Sequence, residues 1–174
     1  MTTNITPQML DQRIKAMRII IAALCFGVVF FGAVAILGSQ AGQPSANPLI
    51  CWIGLGGAVV SLLARQFMRS FLETTNRKAI ASGDVVASRS KEPTNVADTL
   101  LGVYQVRLII SAALLEGACF FNLIAYMIDM QWWSLAIAGV FLAINLSTIP
   151  TKDGVESWIQ QQLELIDFDR NQAT

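Results

Sequence analysis

A chain of 174 residues is long enough for one ordinary domain, but its composition is not that of a soluble one. It is 54% hydrophobic and only 14% charged, with twelve bases and twelve acids that leave no net charge. Histidine is absent and the three cysteines lie in apolar runs without a CxxC pair, so we expect no metal site, no cofactor and no disulfide framework. The few bases are spread over three segments, which argues against nucleic-acid binding.

The positions of the charges predict a protein with four membrane spans. No charged residue lies between Arg18 and Arg65, and no base lies between Arg107 and Lys152. Each of these gaps contains two long apolar runs. Because basic residues stay on the cytoplasmic side of a membrane, both termini and the central segment are predicted to be cytoplasmic. We therefore expect an all-α, multi-pass protein of the bacterial inner membrane.

The first third of the chain predicts a helix followed by a transmembrane hairpin. Residues 1–18 form a predicted cytoplasmic amphipathic helix, with Thr6 as its cap and Pro7 as its first residue. The first hairpin covers 19–64, with spans at 19–37 and 49–64. At 1.5 Å per residue the first span is about 28 Å long, close to the thickness of a hydrocarbon core. Its length also exceeds the apolar region of a signal peptide, which is about 7–15 residues, so we expect it to stay in the membrane.

The rest of the chain predicts a cytoplasmic segment, a second hairpin and a terminal helix. Residues 65–107 read as a cytoplasmic loop with helical ends, because breakers such as Ser82-Gly83 interrupt a polar stretch. The second hairpin covers 108–149, with spans at 108–128 and 132–149 and a tight external turn between them. Residues 150–174 predict an amphipathic cytoplasmic helix that either lies on the membrane surface or packs under the bundle.

Spans one and three resemble each other in sequence. Residues 22–31 (AALCFGVVFF) and 112–121 (AALLEGACFF) match at six of ten positions. Both segments start on the predicted cytoplasmic side, so the repeat is parallel. It indicates a four-helix bundle made of two tandem hairpins related by an axis along the membrane normal.

Glu116 is the one acidic side chain deep inside an apolar run, where a charge is costly. At 100° per residue, Ser111, Ala112, Cys119, Asn122 and Tyr126 share an arc of about 140° with it. We expect this arc to face the bundle interior. Asn145 and Ser61 lie at similar depth on spans four and two, so they are the predicted hydrogen-bond partners of Glu116. The candidate intramembrane polar site is therefore Glu116, Asn145, Asn122, Ser61 and Tyr126, with no catalytic residue and no metal.

The segment around Glu116 resembles two kinds of membrane protein. Residues 112–117, followed by Phe120, by 124–126 and by Pro150 after the last span, are similar to a pattern in small uncharacterised bacterial four-helix membrane proteins, approximately A-L-x-E-G, then F, then I-A-Y. That resemblance implies a four-helix membrane fold and no particular activity.

A more local resemblance is to the carboxylate-bearing helix of the proteolipid c subunit of rotary ATPases. It covers about 20 residues: Arg107 upstream, Glu116-Gly117, and the Leu-Ile-Ala run at 123–125. This resemblance implies a carboxylate that takes up and releases a proton.

These observations predict a non-enzymatic integral membrane protein that acts as a structural or accessory subunit of a membrane assembly. The expected partners are the lipid bilayer and either another copy of the chain or a different membrane protein. The alternative is a proton- or ion-handling protein centred on Glu116. We expect no enzymatic activity, because there is no histidine, nucleophile elbow or phosphate-binding loop in the sequence.

Overall fold

A computed structural model describes residues 7–39, 44–81 and 96–172 of the chain. These residues form five α-helices and no strand, which confirms the all-α prediction. The helices are α1 (Pro7–Gly38), α2 (Leu49–Ala81), α3 (Val96–Asp129), α4 (Trp132–Ser147) and α5 (Lys152–Gln172).

Three of the helices, α1, α2 and α3, are each long and apolar enough to cross a membrane. Helix α4 has only 16 residues. It is long and apolar enough to cross a membrane only if it is counted together with α5, from which a bend of 73° separates it. Long apolar segments adopt helices because a helix satisfies its own backbone hydrogen bonds where no water is present. The described residues therefore contain three helices that could cross a membrane, or four if the bent pair forms one span, which is consistent with a multi-pass membrane protein.

The helices extend beyond the predicted spans. The predicted amphipathic segment and the first span are one continuous helix, α1, because no proline or glycine interrupts residues 8–26. Helix α2 likewise continues well past the second span, and α3 begins twelve residues before 108. The predicted loop at 65–107 is helical at both ends. Its centre, residues 82–95, and the predicted cap Thr6 lie outside the described residues.

The bundle has two chemically different ends. The basic end carries Arg18, Arg65, Arg107 and Lys152. The tryptophan end carries Trp52, Trp132 and Trp133, with the rings of Trp52 and Trp133 5.6 Å apart. Helices α1 and α3 run from the basic end to the tryptophan end, α2 and α4 run back, and α5 stays at the basic end.

Helix α3 is the centre of the fold. It packs against α1, α2 and α4 along its length and against α5 near its start. Helices α1 and α2, in contrast, have at most marginal contact with each other. The two hairpins are thus not packed equivalently, although their sequences suggest a repeat. Ala22 of the first copy is exposed, whereas its counterpart Ala112 is buried against neighbouring helices.

Helix α5 packs under the bundle, which is one of the two arrangements that its amphipathic pattern allowed. Val155, Ile159 and Ile166 of α5 join the buried starts of α1 and α3 in one apolar cluster. We call this cluster the basal platform; its other fully buried members include Leu10, Ile14, Met17, Leu100 and Leu101. Arg18 stabilises the bend between α4 and α5, because its Nε donates a 2.9 Å hydrogen bond to the carbonyl oxygen of Pro150.

Candidate functional site

Glu116 lies half-buried between α3 and α1. A Cβ atom on Gly27 would be 3.7 Å from its Oε1, an ordinary van der Waals distance, so the carboxyl group lies directly beside Gly27 of α1. The thiols of Cys25 and Cys119 are close enough to the carboxyl group of Glu116 to interact with it electrostatically. No residue in the described part of the chain makes a hydrogen bond with Glu116.

Asn145, the first predicted partner, is fully buried on α4, and neither its amide nitrogen nor its amide oxygen has a hydrogen-bond partner among the described residues. It therefore does not hydrogen-bond Glu116. Ser61, the other predicted partner, is half-buried on α2 and makes no hydrogen bond to Glu116 within the described ranges. The expected contact between these residues is not formed.

Asn122 joins three helices instead. Its Nδ2 donates to the carbonyl oxygen of Gly54 on α2 at 3.3 Å and to that of Ala118 at 2.9 Å. The hydroxyl of Ser134 on α4 donates to the backbone oxygen of Asn122 at 3.0 Å. A Cβ on Gly54 would be only 3.2 Å from Oδ1 of Asn122, so glycine permits the close approach of α2 to α3.

Tyr126 lies at the tryptophan end, where its hydroxyl oxygen is 3.1 Å from that of Ser39. The three predicted site residues on α3 thus contact different parts of the bundle. Glu116 faces Gly27 of α1, Asn122 connects α2 and α4, and Tyr126 contacts the end of α1. They do not converge on a single site.

A buried carboxylate at the tryptophan end was not singled out as a site by sequence reasoning, which read it only as part of a turn. Asp129 is 4% exposed, and its Oδ2 accepts a 2.9 Å hydrogen bond from the backbone N–H of Cys51 in the first turn of α2. Its backbone oxygen accepts from the N–H of Ser45. The last residue of α3 therefore caps the positive end of α2.

The basic end contains a cavity of about 390 Å³ that the sequence analysis also missed. We call it the basic cavity. Helix α2 contributes Arg65 and Arg69, α3 contributes Tyr104 and Arg107, and the bend at 147–151 closes the remaining side with Gly154. The volume lies within the range typical of ligand pockets, about 300–1,000 Å³.

The guanidinium groups of the basic cavity are held in different ways. Nε of Arg65 donates a 2.5 Å hydrogen bond to the hydroxyl of Ser111. Arg107 forms an ion pair with Glu73 and lies 5.7 Å from the ring centre of Trp158. Arg69 has no acidic partner among the described residues. The sequence signal for this site was the group of basic residues at the ends of the apolar spans. The same residues also predict the membrane topology, so by themselves they do not point to a cavity.

Comparison with protein families, with curated proteins and with solved structures finds no match to the chain.

Proposed function

We propose that the protein is a non-enzymatic integral membrane protein of the bacterial inner membrane, acting as a structural or accessory subunit of a membrane assembly. The basic end is cytoplasmic in this proposal, which places both termini in the cytoplasm. The observation that carries the proposal is the basal platform. It joins α1, α3 and α5 through a continuous apolar core and so holds α5 in a fixed position at the end of the bundle.

The outer face of α5 supports a contact role. At 100° per residue, Asp153, Glu156, Glu164 and Asp167 fall within an arc of about 80°. All four are exposed, and Val155, Ile159 and Ile166 are buried on the opposite side. An acidic stripe is repelled by anionic lipid and attracted by a basic protein surface, so we propose that the stripe faces a partner protein.

The experiment is co-purification from native membranes in mild detergent. We expect a stoichiometric partner that is lost from the double variant Glu156→Lys/Glu164→Lys and retained by Glu156→Asp/Glu164→Asp, which keeps the charge. Thermal unfolding of each variant checks that the fold is intact. Wild-type protein that purifies alone, or a lysine variant that keeps its partner, contradicts the proposal.

The alternative function is proton or ion handling at Glu116. It is favoured by the position of the carboxyl group inside the apolar part of the bundle without a described hydrogen-bond partner. The protein purified for the first experiment also tests this alternative. Proton flux in liposomes that disappears in Glu116→Gln, while thermal stability is unchanged, would support the alternative.

We also propose that the two hairpins arose by duplication. The support is the six identities between 22–31 and 112–121. Divergence after duplication then accounts for their unequal packing, since the second copy occupies the centre of the bundle and the first copy lies beside it.

A further inference from the structure

The basic cavity concentrates positive charge in a partly enclosed space. Arg65 lies within electrostatic range of both Arg69 and Arg107, and all three side chains are half-buried. Like charges this close repel one another, and partial burial reduces the screening of that repulsion by water. Glu73 offsets one of the three charges through its ion pair with Arg107. No acidic residue is among those that line the described cavity.

Two hydroxyl groups of the cavity keep a proton to donate. The hydroxyl oxygen of Ser111 accepts from Arg65, and that of Thr151 accepts from the backbone N–H of Gly154 at 3.2 Å. Because each of these oxygens acts as an acceptor for the protein, its own O–H group remains directed elsewhere. Together with the arginines, they make the cavity rich in hydrogen-bond donors.

Helix α5 adds to the positive potential. It has 21 residues and begins at Lys152, beside Thr151 and Gly154 of the cavity wall. The helix dipole places partial positive charge at this start, and this charge favours anions. It is offset in part, because Thr151 already caps the N–H groups of Gly154 and Val155 and because Asp153 lies in the first turn. The cavity thus combines arginine side chains, hydroxyl donors and a helix start, all of which favour the same kind of ligand.

The depth of the cavity indicates from where a bound anion could come. Arg65 directly follows the apolar run 49–64, and Arg107 directly precedes the run 108–128. If hydrocarbon covers these runs, the cavity lies at the level of the lipid phosphates, where it is open to ligands from the lipid layer and from water.

We propose that the basic cavity binds a phosphate group, either that of an anionic phospholipid or that of a soluble phosphate compound. Arginine matches the geometry of phosphate oxygens through paired N–H donors. Arg107 is oriented by Glu73 and Trp158, and Arg65 by Ser111, so these two are pre-positioned. Arg69, which has no described acidic partner, supplies the remaining positive charge for the bound phosphate.

The test uses the purified full chain in maltoside micelles, which contain no phosphate. One arm adds inorganic phosphate at millimolar concentration and measures binding by calorimetry. The other arm adds phosphatidylglycerol and counts bound lipids by native mass spectrometry. Binding in the first arm identifies a soluble source and binding only in the second identifies lipid, and either result supports the proposal. Absence of binding in both arms overturns it.

Two variants make the test specific to the site. We expect Arg69→Gln to weaken binding by about tenfold or more, the effect of losing one charge-assisted hydrogen bond. Arg13→Gln removes an exposed arginine of α1 outside the cavity and should bind as the wild type does. Ligand-free Arg69→Gln should unfold at the same temperature as the wild type or higher, because a source of repulsion is gone. Equal binding by Arg69→Gln and the wild type overturns the proposal.

Discussion

Asn122 and Asn145 are both fully buried, and they differ in what their amide groups contact. The amide of Asn122 donates to two backbone carbonyl groups, and that of Asn145 has no partner in the part of the chain that the structure describes. A buried polar group without a partner costs about 1–3 kcal/mol relative to a satisfied one. The same residue type therefore stabilises the bundle at one position and destabilises it at the other.

This contrast predicts opposite effects for one substitution at the two sites. Asn122→Leu should lower the free energy of unfolding by about 1–2 kcal/mol, because it removes interhelical hydrogen bonds and crowds the contact with Gly54. Asn145→Leu, its matched control, should leave stability unchanged or raise it. Unfolding in detergent with increasing dodecyl sulfate measures both. Equal destabilisation by the two variants would mean that the amide of Asn145 has a partner.

Sequence reasoning at the scale of single residues identified which side chains are unusual but not their partners. Its helical wheel placed Asn122 and Cys119 on the inward arc of α3, and both are fully buried. The expected bond between Glu116 and Asn145 fails because similar depth does not determine which helix a side chain faces. That depends on helix rotation and on which helices are neighbours, and both are set by packing over the whole bundle.

At the scale of the elements, α2 depends on another helix for its first turn. The first N–H groups of a helix are unsatisfied unless a nearby acceptor caps them. Asp129 supplies a carboxylate for this purpose from the end of α3, and the backbone of 129 also holds Ser45 before α2. The start of α2 and the end of α3 are thereby coupled at the tryptophan end.

Asp129→Ala should therefore lower the free energy of unfolding by about 1–2 kcal/mol, the usual cost of losing a helix cap that also carries charge. Asp129→Asn keeps an acceptor oxygen and should cost less. Asp167→Ala, which removes an exposed carboxylate of α5, serves as the control and should have little effect. Thermal unfolding in detergent compares the three. If Asp129→Ala unfolds as the wild type does, the capping bond contributes nothing to stability.

The elements were predictable to different extents. Apolar runs and turn residues predicted helical structure in all five described helices, because they depend on local sequence, but the predicted bounds divided α1 in two and made α2 and α3 too short. The capping role of Asp129 was hidden because its partner, Cys51, is 78 residues away in the chain. The basic cavity was missed for the same reason, since its arginines and the bend after Ser147 meet only through packing.

At the scale of the whole molecule, the uneven distribution of bases predicts orientation. Bases are absent from 38–48 and 129–131, the two short connections at the tryptophan end. We expect that end to face away from the cytoplasm. Reporter fusions at Gln43 and at Ser88, both outside the described residues, should report opposite compartments. A fusion at Gln131 is the control and should match Gln43. The same compartment for Gln43 and Ser88 would contradict four spans.

The central position of α3 has a consequence for how the protein is made. Helices α1 and α2 have little contact with each other, and both pack mainly against α3. If the helices enter a bilayer in the order of their synthesis, the first two arrive before their shared neighbour has been made. They must therefore remain there as separate lipid-surrounded segments until α3 arrives. We therefore expect the native contacts of α1 and α2 to form only after α3 has been inserted.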